Sequence, residues 1–297
     1  MEQIKIGMFD SGVGGLSVAR EFFRQLPDLP LVYLADSAHV PYGDRSPEEL
    51  VELGDAIVRR LRHEGAGWIV AACNTSSAVS LPILRKRYPE VPIIGMIEPG
   101  ARAAVAATRN GRIGLLATQV TVRSGAYVEA IRRIAPEAVV VSQAAPLLVP
   151  LVEAGRLHDR ETQVVLESYL EPLLNAQVDT VLLGCTHYPF LLPTFRRIVG
   201  GDISLVDPAA SVIAELRSRL GRESAGSSSN GVSEGWAPPS TNSGAAKLTS
   251  LSPDRLRLLT TGDARRLAAA VHLLLGRPAP AVEQVELPVS SPSASRV

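Results

Sequence analysis

Cys73 and Cys185 are the chain's only thiols, and each stands where an apolar run gives way to polar residues. Trp68-Ile-Val-Ala-Ala-Cys73 is followed by Asn74 and Thr75, and Thr180-Val-Leu-Leu-Gly-Cys185 by Thr186 and His187. A small buried hydrophobe is the ordinary role of a free cysteine, but that role does not call for the hydroxyl, amide and imidazole groups that come next. A thiol works as a base or nucleophile only as thiolate, so its reference pKa of about 8.5 must be lowered or a base supplied. A helix starting after each cysteine would favour thiolate, and Asp10, Glu153 or His187 could relay its proton. Zinc is not expected, because Cys185 and His187 lack the Cys-x₂₋₄-Cys spacing of zinc sites. Dithiol redox chemistry would need Cys-x-x-Cys, which is absent. The chemistry these residues allow is that of a facing acid–base pair acting on one small substrate.

Two loops add polar groups. Asp10-Ser11-Gly12-Val13-Gly14-Gly15 follows an apolar strand and opens a helix. As a dinucleotide fingerprint it lacks the third glycine in register, and a tight turn offering backbone N–H groups to a carboxylate accounts for it equally well. Asp10 is a helix cap or a functional carboxylate; its sequence context allows both. Pro41-Tyr42-Gly43-Asp44-Arg45-Ser46 reads as a loop leading into a capped helix, with Ser46-Pro-Glu-Glu49 resembling a capping box. Tyr42 and Gly43 have no such structural duty and suit a substrate-contacting loop.

These motifs repeat at a spacing near 110 residues. The two cysteine segments match in position and pattern. Leu81-Pro82-Ile-Leu-Arg85 follows the first, and Leu192-Pro193-Thr-Phe-Arg196 the second. Glu98-Pro99 parallels Asp207-Pro208, and Ile6-Gly7-Met-Phe-Asp10-Ser11 parallels Ile113-Gly114-Leu-Leu-Ala117-Thr118. Four matches in one order and at near-constant offset indicate duplication.

The elements that must position these residues alternate. Strands are expected at Ile4–Phe9, Leu31–Ala35, Trp68–Ala72, Ile93–Ile97, Arg112–Ala117, Ala138–Ser142, Thr180–Gly184, Ile203–Val206 and Leu256–Thr261. Helices are expected at Leu16–Leu26, Ser46–Glu64, Val79–Arg87, Pro99–Thr108, Arg123–Ile134, Arg160–Asn175, Pro193–Val199 and Ala264–Leu275. Apolar strands separated by helices make a doubly wound α/β architecture with parallel sheets. Ligands of such sheets bind beyond the carboxyl ends of the strands, so two halves packed face to face put one thiol on each side of a shared cleft. From Arg222 to Pro253 periodicity stops and Gly, Ser, Pro, Asn and Thr dominate, which reads as a flexible insertion. Residues 290–297 read as a loose tail.

Thirty basic residues balance thirty acidic ones, which gives no electrostatic reason to bind nucleic acid or an anionic membrane. No secretory signal and no uninterrupted apolar span is read, so a soluble, cytoplasmic protein with reduced thiols is expected. Lysines occur only at positions 5, 86 and 247, which restricts any Schiff-base mechanism.

Taken together, Phe9-Asp10-Ser11-Gly-Val-Gly-Gly-Leu16, Pro41-Tyr42-Gly43-Asp-Arg-Ser46, Ala72-Cys73-Asn74-Thr75, Gly114-Leu-Leu-Ala-Thr118 and Gly184-Cys185-Thr186-His187-Tyr-Pro189 resemble the glutamate racemases of the aspartate/glutamate racemase superfamily. Val149-Pro-Leu-Val-Glu153-Ala-Gly155 and Thr260-Thr-Gly-Asp263 also fit. The resemblance covers residues 3–221 and 255–287; the departure is the 222–253 insertion, which touches no motif. It implies two pseudo-symmetric α/β domains with the active site in the cleft between them: residues 1–97 with 208–297, and 98–207. It implies interconversion of L- and D-glutamate without a cofactor or metal, to supply D-glutamate for peptidoglycan. Cys73 would deprotonate D-glutamate with Asp10 in support, and Cys185 would deprotonate L-glutamate with Glu153 and His187 in support. Ser11, Tyr42, Gly43, Asn74, Thr75, Thr118 and Thr186, with Asp10 and His187, would hold the substrate's polar groups. An aspartate or related racemase of the same superfamily is the alternative; monomer and homodimer both stay open.

Overall fold

The computed structural model describes residues 4–226, 255–276 and 278–288. Its strands are β1 (Ile6–Asp10), β2 (Leu31–Ala35), β3 (Trp68–Ala71), β4 (Ile93–Gly95), β5 (Arg112–Ala117), β6 (Val139–Ala144), β7 (Thr180–Gly184), β8 (Ser204–Val206), β9 (Leu256–Thr260) and β10 (Val282–Gln284). All pairings are parallel. They form two sheets, ordered β10-β9-β2-β1-β3-β4 and β6-β5-β7-β8. The Val, Ile and Leu runs in β1, β2, β3 and β7 are buried on both faces by helices, as parallel sheets require.

The duplication seen in sequence reappears as topology. Order β2-β1-β3-β4 in one sheet corresponds to β6-β5-β7-β8 in the other, with the central strands β1 and β5 each flanked by the strand that leads to a cysteine. The second sheet's strands lie in sequence inside those of the first, which β9 and β10 complete at its far edge. Helices Ile97–Ala107 and Ala209–Gly226, which carry the chain between the sheets, pack on each other. One core cluster joins residues of both sheets, such as Val70 and Ile94 with Val181 and Leu183.

Several boundaries differ from expectation for local reasons. The expected strand Ile93–Ile97 stops at Gly95, because Ile97 already belongs to the next helix. The expected helix Val79–Arg87 becomes two, Asn74–Val79 and Leu81–Arg87; Pro82 stands in the first turn of the second, where its missing N–H costs nothing. Arg123–Ile134 likewise divides at Gly125, whose φ of 67° interrupts the helix. Helix Ala209–Gly226 runs past Arg222, the expected start of the insertion. The remainder of that segment and the expected tail at 290–297 lie outside the described residues. Among the described residues no helix is long and apolar enough to cross a membrane.

Candidate active site

Strand ends place the chemistry. Asp10 closes β1, Cys185 directly follows β7, Thr118 directly follows β5, and Cys73 lies two residues past the end of β3. Register keeps these ends level: Phe9 pairs with Ala71, and Ala117 with Gly184. A helix begins at Asn74, with Cys73 as its N-cap residue.

The carboxyl ends of the two sheets converge on one cavity. It spans about 270 Å³ between its lining atoms, open mouth included. Cys73, Asn74 and Thr75 line it from one side, and Cys185, Thr186 and His187 from the other. Ser11, Tyr42, Gly43 and Thr118 also line it, with Pro41 and Val149 added. Asp10, expected among the substrate contacts, does not line the cavity and neither does Glu153: Asp10 is bonded to the lining residue Thr186, and Glu153 to the lining residue His187.

On the Cys185 side the groups form a relay. His187 Nδ1 lies 3.7 Å from Cys185 Sγ, and His187 Nε2 lies 2.8 Å from Glu153 Oε1. That same oxygen accepts a hydrogen bond from the Val13 N–H at 3.2 Å. Burial works against a charged imidazole, but the hydrogen bonds to Cys185 and Glu153 outweigh it and hold His187 well above its usual range. Glu153 is held below the usual carboxylate range because the same contacts overcome its desolvation. The imidazolium form of His187 is thereby favoured, with the Glu153 carboxylate against it balancing the charge.

The Cys73 side is different. Its Sγ faces Ser11 Oγ at 3.9 Å. Burial, then the nearby Asp10 charge, push the thiol up to about 12, against smaller contributions from Ser76 and Ser11. Cys73 thus rests as an acid. Asp10 acts on it through its field, while its own carboxylate accepts hydrogen bonds from the Gly12 N–H at 3.1 Å and from Thr186 Oγ1 at 3.0 Å. Burial raises Asp10 itself despite these bonds and the His187 charge.

The glycines of Asp10–Gly15 have a steric explanation. A Cβ on Gly12 would collide with Glu153 Oε1, and one on Gly14 would come within 2.5 Å of His187 Nδ1 and Thr186 Oγ1. They let the first half's loop lie against Glu153, Thr186 and His187 of the second half, while the Gly12 and Val13 N–H groups are given to the Asp10 and Glu153 carboxylates.

Some contacts carry no local sequence signal. Thr121 closes a hydroxyl triangle with Thr75 at 3.1 Å and Thr118 at 2.9 Å. Its only hint is its place three residues after Thr118, which caps the helix it opens. The Tyr42 hydroxyl donates to buried Asp36, so Tyr42 offers the cavity its ring and backbone. Asp36 also accepts from Thr261 Oγ1 at 2.7 Å, tying the 36–45 loop to the end of β9. Tyr33 OH, at the centre of β2, donates to the Gly12 carbonyl at 2.9 Å beneath the glycine loop. Among the described residues no group of three or more His, Cys, Asp or Glu side chains is gathered as a metal site.

Comparison with known proteins agrees with this layout. Residues 6–216 match the family described as Asp/Glu/Hydantoin racemase. A glutamate racemase of Desulforudis audaxviator is 50% identical over 212 residues, covering 71% of this chain and 77% of that protein. A glutamate racemase of Ectopseudomonas mendocina is 41% identical across 93% of this chain and 97% of its own length. The crystal structure of a glutamate racemase isoform from Bacillus anthracis superimposes with a TM-score of 0.84 at 31% identity, covering 98% of this chain and all of that one.

Proposed function

We propose a two-base reaction for this chain, which belongs to the Asp/Glu/Hydantoin racemase family and within it to the glutamate racemases. Inverting a carbon centre needs a base on one face and an acid on the other, each within reach of the reacting atom. The observation that carries the proposal is that Cys73 and Cys185 line one cavity from equivalent strand ends of two similar halves.

In the L-to-D direction Cys185 gives its proton to the His187–Glu153 relay, and the thiolate removes the Cα proton of L-glutamate. The Cys73 thiol, which rests protonated, delivers its proton to the opposite face. The return direction starts from the form that the forward reaction leaves, with Cys73 as thiolate and Cys185 as thiol: Cys73, with Asp10 beside it, takes the Cα proton of D-glutamate, and Cys185 donates its proton to the other face. Negative charge that develops at the substrate during proton removal meets the hydroxyl donors of Thr75 and Thr118, in a site where burial strengthens each interaction, while Asn74 holds a polar group of the bound substrate. Ser11, Tyr42, Gly43 and Thr186 complete the grip on the substrate's polar groups. The first domain takes residues 1–97 and 208–297 and the second 98–207, so the boundaries fall next to the ends of β4 and β8. The product D-glutamate serves peptidoglycan synthesis in the cytoplasm.

The test is turnover by the purified protein without added cofactor, from L-glutamate, D-glutamate and L-aspartate in parallel. Both glutamate enantiomers are expected to reach an equal mixture, with L-aspartate far slower. No turnover of either glutamate enantiomer sinks the proposal. Cys73→Ala and Cys185→Ala are each expected to abolish racemisation, and near-normal rates in either variant contradict the two-base assignment.

A further inference from the structure

Asn74 Nδ2 is the one buried side-chain nitrogen or oxygen among the described residues that has no hydrogen-bond partner. Asn74 is only 2% exposed and lines the cavity between the cysteines. A buried N–H group without an acceptor is costly, so a site that keeps one is built for a ligand acceptor.

What fixes this amide comes from the other half of the molecule. The hydroxyl of Tyr127, on helix Ala126–Ile134, donates to Asn74 Oδ1 at 2.6 Å across 53 positions of sequence. Its only other acceptor is the Met96 carbonyl at 3.4 Å, where β4 hands over to helix Ile97–Ala107. The two orientations of the amide are not equivalent. A spacing of 2.6 Å is that of an O–H···O bond and is too short for N–H···O. Reversing the amide would also leave the phenol with the long Met96 contact alone. Burial holds Tyr127 well above the usual tyrosine range, so it stays protonated and must donate. Gly100 makes room for it, since a Cβ there would approach the hydroxyl to 2.9 Å.

We propose that Tyr127 is a positioning residue that locks Asn74 as a donor-only group, so that its free N–H pair takes a carboxylate of the substrate. An ammonium group placed against that nitrogen would meet a donor rather than an acceptor. The inference rests on the amino-dicarboxylate substrate assigned above, and it makes one contact to that substrate depend on how the second half docks on the first.

Tyr127→Phe keeps the ring and removes the hydroxyl. The expected result is a KM for L-glutamate raised about three- to tenfold, with kcat within twofold and the pH profile unmoved. In an Asn74→Ala background the same change should add nothing, because Tyr127 acts through Asn74. Asn74→Asp keeps the acceptor for Tyr127 but turns an oxygen toward the substrate, so it should weaken binding more than Asn74→Ala does. An unchanged KM in Tyr127→Phe overturns the inference. So does an equal loss with and without Asn74, or an Asn74→Asp variant that binds like the wild type. Calorimetric titration with glutarate keeps the two claims separate. If the wild type fails to turn over glutamate, the reaction assignment falls. The lock then stands or falls on whether Tyr127→Phe weakens glutarate binding, and failure of the wild type to bind glutarate overturns it.

Discussion

Adding one methyl group to Gly14 should disable the site without touching either cysteine. An ideal Cβ at Gly14 lies 2.5 Å from His187 Nδ1, 2.5 Å from Thr186 Oγ1 and 2.8 Å from His187 Cε1. Ordinary contact begins at 3.4 Å, so the imidazole must retreat by about 0.9 Å, the difference between 3.4 and 2.5. The atom displaced is the nitrogen facing Cys185, and its neighbour Thr186 Oγ1 is a hydrogen-bond donor to Asp10. Overpacking of this kind costs roughly 1–3 kcal/mol of stability, and misplacing a catalytic group by about 1 Å can cost roughly a hundredfold in rate. Because the enantiomers have equal free energies, kcat/KM must fall equally from both sides. Gly14→Ala is therefore expected to lose about a hundredfold in kcat/KM for L- and D-glutamate alike, measured by circular dichroism, while remaining folded. Gly67→Ala is the control, since a Cβ there meets nothing within 4 Å. A Gly14→Ala enzyme within about threefold of wild type would refute the claim that the glycine loop sets the position of the relay.

Two further predictions concern titration. Cys73 is pushed up to about 12 by burial and then by Asp10. In a Cys185→Ser protein, its alkylation by iodoacetamide should keep accelerating past about pH 9, where an ordinary thiol of pKa about 8.5 levels off, and Asp10→Asn should speed it. A plateau near pH 9 would contradict the assigned resting acid. Burial is the largest single influence on Asp179 and raises it, but hydrogen bonds from Thr108 Oγ1 at 2.6 Å and from the N–H groups of Arg109 and Asn110, both at 2.7 Å, together outweigh burial and lower it to about 2. A depressed carboxylate contributes stability that is present above its unfolded pKa of about 3.9 and is lost as pH falls toward the folded value. Asp179→Asn should thus be roughly 1–2 kcal/mol less stable at neutral pH, with the gap closing as pH falls from about 4, as followed by urea midpoints; a gap independent of pH would contradict it.

The parts of this site legible in the sequence are those fixed locally. An apolar strand ending in a cysteine, with polar residues at the next turn, marks a strand-to-helix loop whatever surrounds it. The repeat then forces the two loops into equivalent places. Contacts made by docking the halves leave no such trace. Tyr127 reads as one apolar position of an amphipathic helix, and nothing near it points to Asn74. Tyr42 stands out as a site residue, but that its hydroxyl is bound to Asp36 depends on how the 36–45 loop folds back. Helix Leu148–Glu153, which presents Glu153, is too short and too uniformly apolar to show a helical period. Helix Ala209–Gly226 is absent from the sequence expectation, although Ala209, Val212, Ile213 and Leu216 keep helical spacing and are all buried; that signal was available. Strand β10, three residues with two polar positions, carries no alternation to detect.

The central claim is that two thiols serve opposite faces of one carbon. It is tested most directly by racemising protiated L-glutamate in deuterium oxide and examining both enantiomers at early conversion by NMR. With separate acid and base, the new D-glutamate carries deuterium at Cα while the remaining L-glutamate keeps its protium. Protium retained at Cα of the D-product, or deuterium entering L-glutamate as fast as D-glutamate forms, would mean that one group serves both faces and would contradict the account.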